Sequence, residues 1–197
     1  MKNICVFCGS SVGSDKRYAE AAARLGDVLA DNGCTLIYGG GSIGLMNVIA
    51  DRMLERGCEV IGVMPAFLLG HEIGHPTITK MISTKTMAER KEILILESDA
   101  FIAMPGGFGT LDEFSEVVVA DQLRLIEKPV ALYNTLGYYD DLVRWINRGI
   151  KDGFVRSDHS KNIIVTDDPK ELFQRLEQYH PVTMEQWIQD IKEEVKS

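Results

Sequence analysis

Apolar runs that each end in a glycine-containing turn, and then continue into a helix-patterned stretch, constrain this chain most strongly. Three of these runs, with the turns that follow them, are Ile4 to Cys8 with 9–11, Thr35 to Tyr38 with 39–44, and Ala100 to Met104 with 105–109. Strands without polar interruptions are typical of parallel sheets that are covered on both faces. Parallel strands in turn need helical crossovers between them. The pattern therefore predicts an α/β fold with a doubly wound parallel sheet and helices on both faces.

The densest of these turns is Pro105-Gly106-Gly107-Phe108-Gly109-Thr110, which we expect at the carboxyl edge of the sheet together with the other two. Its glycines allow the backbone to approach a ligand, and the helix that follows offers unpaired N–H groups and a positive dipole end. Such a turn favours a phosphate or another anion. Glu113 then has two interpretations. It either completes a capping box with Thr110 as the N-cap, or it carries out chemistry beside the bound anion.

One domain is the expected size for 197 residues with 45% hydrophobic content. We assign residues 1–180 to this domain and 181–197 to an amphipathic helical tail packed on it. No segment approaches the ~20 apolar residues that would span a membrane, and the first apolar run is too short for a signal peptide, so a cytoplasmic location is expected. The net charge of −8 and the pI near 5.0 argue against nucleic acid as a partner.

Two motifs indicate cofactors or redox chemistry, but their context argues against both. Cys5-x-x-Cys8 lies within a strand, where positions three apart point to opposite faces, so buried core thiols are favoured over a metal or redox pair. Gly39, Gly41 and Gly44 match G-x-G-x-x-G. The next strand, however, ends at Pro65-Ala66 instead of the Asp or Glu that holds a ribose, so a nicotinamide or flavin is not favoured.

A literal H-E-x-x-H occurs at residues 71–75, in a connection punctuated by glycine and proline. The zinc motif works only on a helix, where both histidines share a face, whereas Gly74 lies inside this segment and Pro76 follows it directly. We therefore predict no metal site, and expect a loop at the rim of the site with Glu72 as a candidate ligand contact.

Arg90 occupies the position of a core residue. In the helix-patterned stretch 86–94, Met87, Arg90 and Leu94 fall on one face. A half-buried guanidinium needs an anionic partner. That partner is either a neighbouring carboxylate or a substrate.

The turn Pro105 to Glu113, taken with the segments 39–46 and 5–11 and the Arg90-Lys91 pair, resembles the Lonely Guy family of cytokinin riboside 5′-monophosphate phosphoribohydrolases. The likeness runs to about residue 178. It implies a Rossmann-like fold, a homodimer, no cofactor, and release of the base from a nucleoside 5′-monophosphate. Some members are labelled lysine decarboxylases, but nothing in this sequence indicates a pyridoxal-phosphate lysine site.

The resemblance also implies roles for individual residues. Arg90 and Glu113 are the expected catalytic residues. The expected substrate-binding residues are Glu72, Lys91, Gly107, Phe108, Gly109, Thr110, Leu111 and Asp112. Phosphate binding is assigned to the N–H groups of Gly107, Gly109 and Thr110, with Ser10, Gly41 and Ser42 near by. The chain departs from its relatives at Asn47, Phe108, Asp112 and Val119, and these departures concern the preferred base. A nucleotide-binding sensor or carrier on the same fold is the alternative, and it would not need Glu113.

Overall fold

The computed structural model describes residues 1–69, 74–156, 162–180 and 192. The strands are β1 (Asn3–Phe7), β2 (Thr35–Tyr38), β3 (Val60–Pro65), β4 (Lys80–Thr84), β5 (Ala100–Ala103), β6 (Val130–Tyr133) and β7 (Ile163–Thr166). The helices are α1 (Arg17–Asp31), α2 (Gly44–Glu55), α3 (Ala66–Leu69), α4 (Met87–Glu97), α5 (Phe108–Gln122), α6 (Asp140–Lys151) and α7 (Pro169–Glu177).

All seven strands pair in parallel in one sheet, in the order β4-β3-β2-β1-β5-β6-β7. The central strand β1 pairs with β2 on one side, where Val6 lies opposite Tyr38, and with β5 on the other, where Phe7 lies opposite Ala103. The strand order therefore reverses direction beside β1. In open α/β sheets a reversal of this kind opens a ligand crevice beyond the carboxyl ends of the strands. The predicted doubly wound fold is confirmed.

Helices cover both faces of the sheet, and β1 shows why its sequence is apolar throughout. Ile4 and Val6 pack in the core beneath α1, α2 and α7, while Cys5 and Phe7 face the core beneath α4, α5 and α6. All four side chains are buried. Burial of such apolar side chains stabilises the fold by about 1.5 to 3 kcal/mol each. The predicted placement of Cys5 and Cys8 as buried thiols on opposite faces is confirmed.

The start of α5 corrects one interpretation of the sequence. The helix begins at Phe108 with Gly107 as its N-cap, and no side chain caps it. Thr110 is therefore already inside the first turn, so the capping box of Thr110 and Glu113 is wrong. A side-chain cap instead forms at α4, where Thr86 Oγ1 accepts a hydrogen bond from the Glu89 N–H at 3.1 Å. Glycine is an acceptable N-cap, which is why the helix can start before the threonine.

Two sequence predictions fall outside the described residues. His71 and Glu72 of the H-E-x-x-H segment are among them, as is the predicted tail 181–197 apart from position 192. Within the described residues, no helix is both long and apolar enough to cross a membrane.

Candidate active site

Backbone hydrogen bonds join the three glycine turns at the carboxyl edge of the sheet. The Gly9 N–H donates to the Pro105 carbonyl at 3.0 Å, and the Leu45 N–H donates to the Gly9 carbonyl at 3.0 Å. Gly44 has φ +64, and a Cβ there would lie 2.2 Å from the carbonyl carbon of Ser10. The third glycine of the G-x-G-x-x-G match is thus required by the packing of two turns against each other.

A pocket of about 500 Å³ opens beside these turns. Its volume is in the range of small-molecule sites. Eight of the expected site residues line it: Ser10, Gly41, Arg90, Gly107, Phe108, Gly109, Thr110 and Glu113. Four other expected residues, Ser42, Lys91, Leu111 and Asp112, are not part of this lining. Glu72 lies outside the described residues.

Arg90 and Glu113 form an ion pair in this pocket. Arg90 Nη1 donates to Glu113 Oε1 at 2.7 Å, and Arg90 Nε donates to the Val63 carbonyl at 3.0 Å. The two side chains are only 12% and 10% exposed. The expected carboxylate partner of Arg90 is therefore present, and the arginine also lines the pocket; its contact with substrate stays a prediction. Burial raises the pKa of the Glu113 carboxyl, and the attraction of Arg90 opposes this effect without outweighing it.

Gly39 makes room for the arginine. A Cβ at this position would lie 2.5 Å from Arg90 Nη2, which is closer than real contacts allow. In the sequence, Gly39 is part of a G-x-G-x-x-G match. In the structure, it leaves space for the guanidinium of Arg90, an expected catalytic residue. Local sequence carries no signal for this contact, because it joins the end of β2 to a side chain of α4.

The electrostatics at the carboxyl edge favour an anion. The helices α2 and α5 both begin there, at Gly44 and Phe108. The first N–H groups of a helix have no carbonyl one turn earlier to bind, and they lie at the positive end of its dipole. For α5 these groups belong to Phe108, Gly109 and Thr110, next to the N-cap Gly107. A phosphate group therefore matches this part of the pocket despite the overall negative charge of the chain.

Lys91 has partners of its own. Its Nζ lies 3.1 Å from Asp112 Oδ2 and 2.7 Å from Glu116 Oε2, so it joins α4 to α5. These bonds, with Glu116 making the largest contribution, raise the pKa of Lys91. Lys91 and Asp112 thus support the two helices that carry Arg90 and Glu113.

His75, the last residue of the H-E-x-x-H segment, is buried and both of its ring nitrogens are engaged. The Thr77 N–H donates to Nδ1 at 3.3 Å, so Nε2 carries the proton and donates to Asp51 Oδ1 at 3.1 Å. The His75 N–H also bonds to the Gly40 carbonyl at 2.9 Å. The histidine therefore anchors its loop to the second glycine turn. Among the described residues no group of three His, Cys, Asp or Glu side chains could hold a metal.

Sequence reasoning did not identify the apolar wall of the pocket. This wall consists of Ile43, Met46, Met64 and Leu68. Ile43 precedes α2, Met46 lies in its first turn, and Met64 is near the end of β3. These residues could have been predicted from the sequence by their positions just after or near strand ends. Side chains at such positions lie at the carboxyl edge of the sheet, where ligands bind.

The fold and the pocket together define an α/β protein with a doubly wound sheet and a small-molecule pocket at its carboxyl edge, and comparisons with known proteins name its family. The profile of a family described as "Possible lysine decarboxylase" matches residues 46–176. A cytokinin riboside 5′-monophosphate phosphoribohydrolase of Arabidopsis thaliana is 43% identical over 180 residues, which are 91% of this chain and 84% of the relative. A second from the same plant is 42% identical over 181 residues, 92% of this chain and 79% of the relative. The chain therefore belongs to the family of these phosphoribohydrolases, the Lonely Guy family that its sequence resembles.

Solved structures share the fold at lower identity. A molybdenum cofactor binding protein from Rippkaea orientalis is 22% identical with a TM-score of 0.65, over 90% of this chain and 97% of that chain. A molybdenum cofactor carrier protein from Chlamydomonas reinhardtii is 23% identical with a TM-score of 0.64, over 90% and 96%. At this level of identity the likeness concerns the fold alone.

Proposed function

We propose that this protein hydrolyses the N-glycosidic bond of nucleoside 5′-monophosphates, AMP or cytokinin riboside monophosphates, to the free base and ribose 5-phosphate. The observation that carries the proposal is the buried pair of Arg90 and Glu113, which lies in a pocket bordered by glycine turns and helix N-termini. The named activity of relatives more than 40% identical supports it.

Glu113 provides the negative charge that the reaction needs. As the C1′–N bond breaks, the sugar becomes cation-like, and an acceptor-only carboxylate beside it stabilises that charge. The water oxygen then bonds to C1′, and the bonding electrons of the broken bond pass to the base nitrogen. Burial raises the pKa of Glu113, so the carboxylate is a better proton acceptor for the attacking water than an exposed glutamate would be.

Arg90 holds Glu113 and balances the charge of the departing base. A guanidinium is a poor proton donor, so the base takes its proton from water or from another group. Arg90 is itself fixed by the Val63 carbonyl at 3.0 Å. The apolar wall formed by Ile43, Met46, Met64 and Leu68 suits a purine ring.

The phosphate group binds the N–H groups of Gly107, Gly109 and Thr110. We add Phe108 to this set, because α5 begins at this residue and leaves its N–H without a helical partner. Ser10 and Gly41 form the adjoining wall, and Ser42 follows directly in the second turn.

The decisive experiment is incubation with AMP and with isopentenyladenosine monophosphate, followed by chromatography. Free base should appear together with an equal amount of ribose 5-phosphate. Full recovery of intact nucleotide that had bound to the protein would instead indicate a sensor or carrier.

We also propose a homodimer that acts in the cytoplasm. An apolar groove of about 420 Å³ between α5 and α6 supports the dimer. Trp145, 67% exposed, lies in it, and Leu111, from the same helix turn as the phosphate donors, lines it as well. Exposed apolar patches of this kind mark interaction sites. Light scattering should give a dimer mass for the wild type and a monomer mass for Trp145→Glu; a monomeric wild type would contradict the assignment.

A further inference from the structure

Two consecutive tyrosines, from the connection between β6 and α6, hold the carbonyl groups at the start of the third glycine turn. The Tyr139 hydroxyl donates to the Met104 carbonyl at 2.6 Å, and the Tyr138 hydroxyl donates to the Gly106 carbonyl at 2.5 Å. The Pro105 carbonyl between them accepts from the Gly9 N–H at 3.0 Å. Three successive carbonyls are thus each held by another segment of the chain.

The bond from Tyr138 also determines where an N–H group points. In a trans peptide the C=O and the N–H point in opposite directions. The Gly106 carbonyl therefore faces Tyr138, and the Gly107 N–H in the same peptide faces away from it. Tyr138 and Gly107 both line a hollow of about 320 Å³, and Gly107, unlike Tyr138, also lines the pocket that contains Arg90 and Glu113. An N–H group that points away from Tyr138 is therefore available to the pocket in which the phosphate is proposed to bind.

This peptide needs such a restraint because it joins two glycines. Its rotation changes ψ of Gly106 and φ of Gly107, and glycine permits a wide range of both angles. A Cβ built on Gly107 would have no heavy atom within 4 Å, so the surroundings of that residue offer little packing against the rotation. A rotated peptide would turn its carbonyl oxygen toward the anion and repel it.

Tyr138 is held in place for this contact although it is 44% exposed. Its ring packs edge-on against Tyr139 at 5.0 Å and against Tyr18 at 6.0 Å between ring centroids. Asn134 fixes the backbone beside it, because its Oδ1 accepts from the Tyr139 N–H at 2.7 Å.

We propose that Tyr138 is a positioning residue for anion recognition, and that its hydroxyl keeps the Gly106–Gly107 peptide in the orientation that offers the Gly107 N–H to the 5′-phosphate. This inference rests on the proposed function, since it assigns the phosphate to the same turn.

The test compares Tyr138→Phe with Tyr139→Phe in the full chain. Both substitutions remove one hydroxyl that binds a turn carbonyl. The Met104–Pro105 peptide, however, has no N–H because its second residue is proline, so Tyr139 cannot orient a donor. The measurements are the Kd of inorganic phosphate and of AMP by calorimetry, the ratio of kcat/KM for AMP to that for adenosine, and the Tm.

Tyr138→Phe should weaken phosphate and AMP binding about fivefold to twentyfold and lower the kcat/KM ratio by a similar factor, with the rate on adenosine unchanged. Tyr139→Phe should lower the Tm by roughly 3 to 6 °C, since it leaves a buried carbonyl without its donor, but should keep the phosphate affinity within about twofold. Wild-type phosphate affinity in Tyr138→Phe would overturn the proposal, and so would an equal loss in both variants.

The binding measurements separate this inference from the proposed function. A wild type that binds AMP without releasing adenine would defeat the hydrolase assignment, but the comparison of the two tyrosine variants would still decide the role of Tyr138. Release of base at equal rates from AMP and adenosine would defeat the role of Tyr138 while leaving a hydrolase.

Discussion

Glu113→Gln tests the proposed chemistry most directly, because it keeps the shape of the side chain and removes only its charge. A carboxylate about 4 Å from a developing positive charge contributes about 4 kcal/mol at an effective dielectric constant near 20. Arg90, bonded to the same carboxylate at 2.7 Å, offsets part of this stabilisation. With about 1.4 kcal/mol for each factor of ten, kcat should fall about a hundredfold to a thousandfold.

The folded state should tolerate the same substitution. The pKa of Glu113 is raised because burial outweighs the attraction of Arg90, so an uncharged amide avoids part of the desolvation cost that the carboxylate carries. The free energy of unfolding should therefore change by no more than about 1 kcal/mol at neutral pH. Truncation of one partner of a buried ion pair typically costs about 3 to 5 kcal/mol, but the amide oxygen of glutamine still accepts the hydrogen bond from Arg90.

The difference in free energy of unfolding between Glu113→Gln and the wild type should change with pH in a definite direction. A carboxyl whose folded pKa is raised stabilises the protein at pH values below its ordinary value of 4.5, and that contribution is lost as the pH rises through the folded value. Glutamine does not titrate. The stability of Glu113→Gln relative to the wild type should therefore increase as the pH rises through this window, which urea unfolding at a series of pH values would measure.

The assay is the initial rate of base release from AMP, with Glu116→Gln as the matched control. Glu116 lies one turn further along α5, pairs with Lys91 at 2.7 Å, and does not line the pocket that contains Arg90 and Glu113. The control should retain wild-type turnover. If Glu113→Gln turned over within about tenfold of the wild type, the catalytic role of Glu113 would be refuted and only a structural role would remain.

Further outcomes are expected for Arg90, for the H-E-x-x-H segment and for the phosphate site. Arg90→Lys should lower kcat/KM at least about tenfold, because one ammonium cannot reach both Val63 and Glu113 as the guanidinium does. Wild-type kinetics in this variant would show that the two-pronged geometry of the guanidinium is unimportant. Dialysis against EDTA and the substitution His71→Ala should each leave the rate unchanged, and stoichiometric zinc in the purified protein would contradict this. Adenosine should be a poorer substrate than AMP by about a hundredfold or more in kcat/KM, since charge-assisted hydrogen bonds to the phosphate contribute roughly 1.5 to 3 kcal/mol each. Inorganic phosphate should compete with AMP, and equal rates on AMP and adenosine would exclude the proposed phosphate site.

Local patterns in the sequence determined the architecture and the edge that carries the site. The apolar strands, the glycine turns after them and the helical periodicity each depend on neighbouring residues alone. Together they place the turns at 9–11, 39–44 and 105–109 on one edge of a parallel sheet, where the structure has them. The inward position of Arg90 followed from the same periodicity.

The partners of these residues were decided only by the tertiary structure. Arg90 and Glu113 are 23 positions apart, and Tyr138 and Gly106 are 32 apart. Their contacts exist because the sheet order places β5 between β1 and β6, which no local pattern specifies. Thr110 and Glu113 fit a capping box in sequence because that motif depends on neighbouring residues alone. In the fold, Glu113 instead accepts a hydrogen bond from Arg90, which another helix supplies.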